Sequence, residues 1–71
     1  MKEYLVIFEL AGSNYSAYVP ELPGCISTGK TLLETEENIK EAIALYIDTL
    51  KEDNMPIPEG LLTAKKIALV G

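Results

Sequence analysis

Two prolines placed three residues apart, in Val19-Pro20-Glu21-Leu22-Pro23-Gly24-Cys25, constrain this chain more than any other feature. Proline has no amide hydrogen, so Pro20 must end whatever strand precedes it. Pro23-Gly24 is a second turn signal, because proline presets φ at the second turn position and glycine supplies positive φ at the third. The chain cannot run straight through this stretch as helix or strand. It must fold back. Cys25 to Thr28 then alternates as a short third strand, which Gly29 ends. Thr31 is placed to cap a helix, with Glu34 three residues on completing a capping box.

On the N-terminal side, Tyr4 to Leu10 alternates as a first strand, with Tyr4, Val6, Phe8 and Leu10 on one face and Leu5 and Ile7 on the other. Ala11-Gly12-Ser13-Asn14 reads as a hairpin turn, and Tyr15 to Val19 returns as the second strand. After the cap, Leu32, Leu33, Ile39, Ala42, Ile43, Tyr46, Ile47 and Leu50 recur at helical spacing. Asn54, Pro56 and Pro58 halt that helix, with Gly60 as a further break. Lys65 to Val70 alternates again and reads as a fourth strand. The order is β-β-β-α-β, an α+β domain. Short turns pair the first three strands antiparallel, and a right-handed crossover sets strand four beside strand one. The expected sheet order is 3-2-1-4, with one helix on one face. The opposite face carries apolar residues that a second copy or a partner would cover.

Seventy-one residues make a single domain, 1–71, near the lower limit for a self-sufficient hydrophobic core. Cys25 is the sole cysteine and histidine is absent, so neither an intrachain disulfide nor a Cys/His zinc site can supplement that core. Association with another chain is the expected remedy. The net charge is −5, from eleven acidic residues against six lysines and no arginine. Such a chain repels backbone phosphates, and direct nucleic-acid binding is not expected. Residues 31–60 hold eight of the acidic groups and two lysines, whereas 61–71 hold two lysines and no acid. The acidic helix is either a solvated face or a surface that steers a basic partner. Lys2-Glu3 leads straight into the first strand with no leader pattern, and no stretch reaches the length of a membrane span. The expected location is the cytoplasm.

The chemical motifs argue against catalysis. Without histidine no Ser-His or Cys-His nucleophile can be built. Cys25 has no candidate base and reads as a small packed hydrophobe. Gly24-x-x-x-x-Gly29-Lys30-Thr31 matches the phosphate-loop pattern formally, but the four intervening residues alternate as a strand instead of forming a loop. The β-β-β-α-β order resembles part of a ribonuclease H fold, whose carboxylates Glu9 and Glu41 could imitate. Strand four offers no third carboxylate to complete a two-metal site. The chain is expected to be no enzyme and to hold no cofactor or metal.

The stretch Ala17 to Cys25, with Gly29-x-Thr31 and Asn38-x-x-Glu41-Ala42-Ile43, resembles the N-terminal domain of HicB-type antitoxins over roughly residues 2 to 70. The resemblance implies a partial ribonuclease H fold and a partner, a small basic HicA-type toxin that cleaves RNA. Longer members continue into a DNA-binding module. This sequence ends at Gly71, directly after the predicted fourth strand, so no such C-terminal module is expected in it. The alternative is a stand-alone homo-oligomeric domain with a structural or ligand-sensing role. The residues expected to contact a partner are Glu21 and Leu22, which the double-proline turn would push outward, and Glu37 and Glu41 on the acidic helix.

Overall fold

A computed structural model describes residues 3–60. Within them the order is β1 (Ile7–Ala11), β2 (Asn14–Tyr18), β3 (Ile26–Gly29) and α1 (Leu32–Glu52). The strands form one antiparallel sheet in the order β1-β2-β3, and α1 packs on β3 and β2. The architecture is α+β, with three antiparallel strands followed by a helix. The fourth strand expected at Lys65 to Val70, and the 3-2-1-4 order that depends on it, lie outside the described residues. Among the described strands β2 is the middle one.

Ala11 pairs with Asn14, leaving Gly12-Ser13 as a two-residue hairpin loop, and Gly12 takes the φ of 64° that such a loop demands. Strand β1 begins at Ile7 instead of Tyr4 for a reason written in its partner. Ile7 lies opposite Tyr18, so continuing the register would set Leu5 against Pro20, which has no amide to offer. The Val19 amide donates instead to the Cys25 carbonyl (3.2 Å). The alternation persists past the ladder: Tyr4, Val6 and Phe8 all pack on the core. Leu10, at the far end, is 65% exposed.

Pro20 and Pro23 each head a turn. The Leu22 amide donates to the Val19 carbonyl (3.0 Å), and the Cys25 amide donates to the Leu22 carbonyl (2.9 Å). Gly24, at φ 83°, holds the third position of the second turn. Leu22 is the corner that both turns share, and it is fully buried. The expectation that the turn pushes Leu22 outward is therefore corrected. Two successive turns reverse the chain around Leu22 and send its side chain into the core with Ala17, Val19, Cys25 and Ile39.

The capping box forms as the spacing predicts. Thr31 has extended φ and ψ, and its Oγ1 accepts from the Glu34 amide (3.0 Å). Glu34 Oε1 accepts in turn from the Lys30 amide (3.1 Å), one residue before the cap. Leu32 and Leu33, which periodicity assigns to the apolar stripe, are exposed. Thr31→Ala is expected to cost about 1 kcal/mol by stranding the Glu34 amide. Thr28→Ala should cost less, since Thr28 is exposed and its contact with α1 is a backbone one, its carbonyl accepting from Asn38 Nδ2 (2.8 Å). Urea melts of the two variants check this; equal losses would contradict the cap.

The helix ends in a Schellman motif. Asn54 takes φ 55°, its amide donates to the Lys51 carbonyl (3.2 Å), and the Met55 amide donates to the Leu50 carbonyl (2.9 Å). That pairing of bonds satisfies carbonyls the helix would otherwise leave unpaired and brings Met55 back toward Leu50.

Candidate functional site

The Schellman turn and the double-proline turn face each other across the C-terminal half of α1. Between them lies a groove of about 500 Å³. Gly24, Cys25 and Ile26 form one wall, while Ala42, Leu45, Tyr46, Thr49, Leu50, Asp53 and Met55 form the helix side and the end. The groove is apolar, and two of its large apolar side chains on and after α1 are well exposed, Leu45 at 69% and Met55 at 54%. Cys25 in this wall is buried. Burial pushes the Cys25 thiol above its ordinary pKa, which suppresses the reactive thiolate and suits a packing role.

The four residues expected at a partner surface separate into two places. Glu37 and Glu41 lie one turn apart on the exposed face of α1. Lys40 sits 3.7 Å from Glu37 and 4.0 Å from Glu36, pairs too solvated to hold the helix together. Glu21 is half-buried within the double-proline turn. The Tyr4 hydroxyl donates to the Pro58 carbonyl (2.7 Å), and its pKa is raised by desolvation first and then by the Glu21 and Glu59 carboxylates. The Tyr4 hydroxyl thus ties residues 4 and 58 together with the Glu21 carboxylate nearby, and Leu22 belongs to the core.

The phosphate-loop pattern occupies a strand. Residues 26–29 pair with β2 from Tyr18↔Ile26 to Tyr15↔Gly29, and Thr31 Oγ1 is engaged as the helix cap. The consecutive amides that would wrap a phosphate are not gathered around one point. Glu9 lies opposite Ser16 in the sheet and Glu41 is exposed on α1. Among the described residues no group of three or more His, Cys, Asp or Glu could hold a metal ion. No helix among them is long and apolar enough to cross a membrane.

A second apolar surface crosses the sheet. Ile7 pairs with Tyr18 and Tyr18 with Ile26, so the three stand in one row. Ala17 and Phe8 point to the helix, and alternation sends this row to the opposite face. Sequence reasoning anticipated an apolar open face but missed the groove. Its one available signal was Leu45, an apolar residue outside the Ile39, Ile43, Ile47 stripe and flanked on its own helix face by Glu41 and Asp48.

Comparison with known proteins gives a consistent answer. A UPF0150 protein of Thermoplasma acidophilum is 47% identical over 58 residues, which is 82% of this chain and 84% of that protein. A UPF0150 protein of Synechocystis is 42% identical over 62 residues, 87% of this chain and 77% of that one. Among solved structures, a chain of the HicA3 and HicB3 toxin-antitoxin complex superposes with a TM-score of 0.67 at 27% identity. The match covers 78% of this chain and 64% of that one, so this chain spans under two thirds of its structural relative. The family described as the HicB-like antitoxin of bacterial toxin-antitoxin systems matches residues 4–68. With residues 4–68 matched by the family and two relatives more than 40% identical over most of their length, the chain belongs to the HicB-like antitoxin family.

Proposed function

We propose that this chain is the antitoxin module of a type II toxin-antitoxin system, neutralising a small RNA-cleaving toxin of HicA type by binding it. The observation that carries this reading is the family match over residues 4–68, joined by the likeness to a chain in a HicA3 and HicB3 complex. The module acts as a stoichiometric inhibitor and not as an enzyme. Its acidic helix faces the cationic surface that an RNA-binding toxin needs, and opposed potentials accelerate the encounter. Co-expression of this chain with a HicA-type toxin is expected to restore the growth that the toxin alone arrests. Glu37→Lys with Glu41→Lys should slow association several-fold while leaving the melt unchanged, since both side chains are exposed. Stopped-flow rates at two salt concentrations check this. Association that ignores both charge and salt would remove α1 from the interface.

A second reading is a stand-alone homo-oligomer with a structural or ligand-sensing role. It is supported by the Ile7, Tyr18, Ile26 row on the open face, where Ile26 is 62% exposed and Tyr18 37%. The two readings are compatible if copies pair through the sheet and leave the helix to the toxin. Light scattering at micromolar concentration is expected to show more than one chain per particle, and Tyr18→Lys to shift it toward monomer. A wild-type monomer under those conditions would remove this reading.

A further inference from the structure

The groove and the charges of α1 have a common geometry. Glu34, Glu37, Glu41, Asp48 and Glu52 follow one another at spacings of three, four, seven and four residues, which keeps them on one helix face. All five are exposed. The single gap in that series, between Glu41 and Asp48, is filled by Leu45, which is 69% exposed and also lines the groove. Asp53 lines the groove as well. An apolar trough therefore runs along the border of a carboxylate stripe, with Leu45 belonging to both. Lys40 reaches Glu37 at 3.7 Å at the N-terminal part of the stripe, whereas Lys51 lies off the Glu41, Asp48, Glu52 line and outside the groove lining.

Charge decides what such a trough can receive. A second copy docking here about a two-fold axis would set one carboxylate stripe against another, which like-charge repulsion opposes. An RNA strand would meet the same repulsion from its phosphates. A cationic protein surface that presents an apolar side chain is matched on both counts. An RNA-cleaving enzyme must hold phosphates and so carries a cationic face by necessity.

We propose that the groove walled by Cys25, Ala42, Leu45, Tyr46, Leu50 and Met55 is the toxin-docking site, taking an apolar side chain of the toxin while the Glu41, Asp48, Glu52 stripe engages the lysines and arginines around it. The proposal rests on the antitoxin reading and adds to it a place and a division of labour. Apolar anchors in desolvated pockets govern how long a complex lasts, whereas rim charges govern how quickly it forms.

The test separates those two quantities. The full chain is titrated against the co-expressed toxin, inactivated by substitution, using surface plasmon resonance at low and physiological salt. Leu45→Ala and Met55→Ala are each expected to raise the dissociation rate about tenfold with little change in association. Asp48→Asn with Glu52→Gln is expected to lower the association rate and flatten its salt dependence, leaving dissociation nearly unchanged. Leu45 and Met55 are exposed, so thermal melts of these variants should match wild type and any loss of binding is then local. Wild-type binding that all of these variants retain would overturn the groove while leaving the antitoxin reading in place. A wild-type chain that does not bind the toxin would overturn both. Should Leu45→Arg turn a homodimer into monomer without altering toxin affinity, the groove belongs to a second copy and the proposal falls.

Discussion

Leu22→Ala is expected to destabilise the domain by about 2–5 kcal/mol, the range for deleting a fully buried leucine side chain. A chain of this length has a total stability of roughly 4–10 kcal/mol at typical per-residue values, so the substitution removes a large fraction of it. The reason lies in the double turn. Leu22 ends one turn and begins the next, and its side chain is completely buried with Val19, Cys25 and Ile39. The hydrogen bonds of both turns run between backbone groups, so the turn can keep its shape while the core beneath it opens. Leu22→Met, which conserves volume, should cost less than about 1.5 kcal/mol. Urea melts of both variants distinguish the inward Leu22 from an outward one, because an exposed leucine could be truncated within about 0.5 kcal/mol. A small loss for Leu22→Ala would contradict the packing described.

Leu22 also marks where the sequence stopped being legible. Pro20, Pro23 and Gly24 announce two turns by the φ values they impose, and both turns are present. Whether the residue between them points in or out depends on how the turns stack, and that is set by long-range packing under Val19 and Ile39. The helix boundaries were readable because their signals are local: the Thr31 and Glu34 spacing at one end, Asn54 and two prolines at the other. Strand β1 begins three residues later than its alternation predicts, because its start depends on Pro20, which is remote in sequence and adjacent in space. Of the expected partner residues, Glu37 and Glu41 stand on the exposed face that periodicity assigns them. The groove was invisible because its walls come from two turns and a helix that no single window contains.

Gly29→Ala is expected to cost about 1–3 kcal/mol by overpacking the junction of sheet and helix. Elsewhere this substitution would stabilise a chain slightly, since alanine narrows the unfolded ensemble. Gly29 has no positive φ to forbid a side chain. The obstacle is Thr35, whose Oγ1, amide nitrogen and Cα would lie 2.6, 2.8 and 3.0 Å from a Cβ at position 29. A side chain can turn aside, but an amide and a Cα in the first helical turn cannot. Thr35 is held twice over, its amide (3.0 Å) and its Oγ1 (2.7 Å) both donating to the Thr31 carbonyl, and it is fully buried. Alanine at 29 must therefore lift the start of α1 from β3 and loosen the packing of Ile39 further along. Gly12→Ala is the informative contrast, because open space surrounds that position and its cost of roughly 1–2 kcal/mol comes from φ alone. Thr35→Ala removes the hydroxyl yet leaves the amide and Cα in place, so it should not rescue Gly29→Ala. Thermal melts of the two single variants and the double, with hydrogen exchange of the Glu34 to Ile39 amides, make the comparison. Full rescue by Thr35→Ala would reduce the clash to one oxygen atom, and unchanged exchange in the first turn of α1 would mean that the helix does not rest on Gly29 at all.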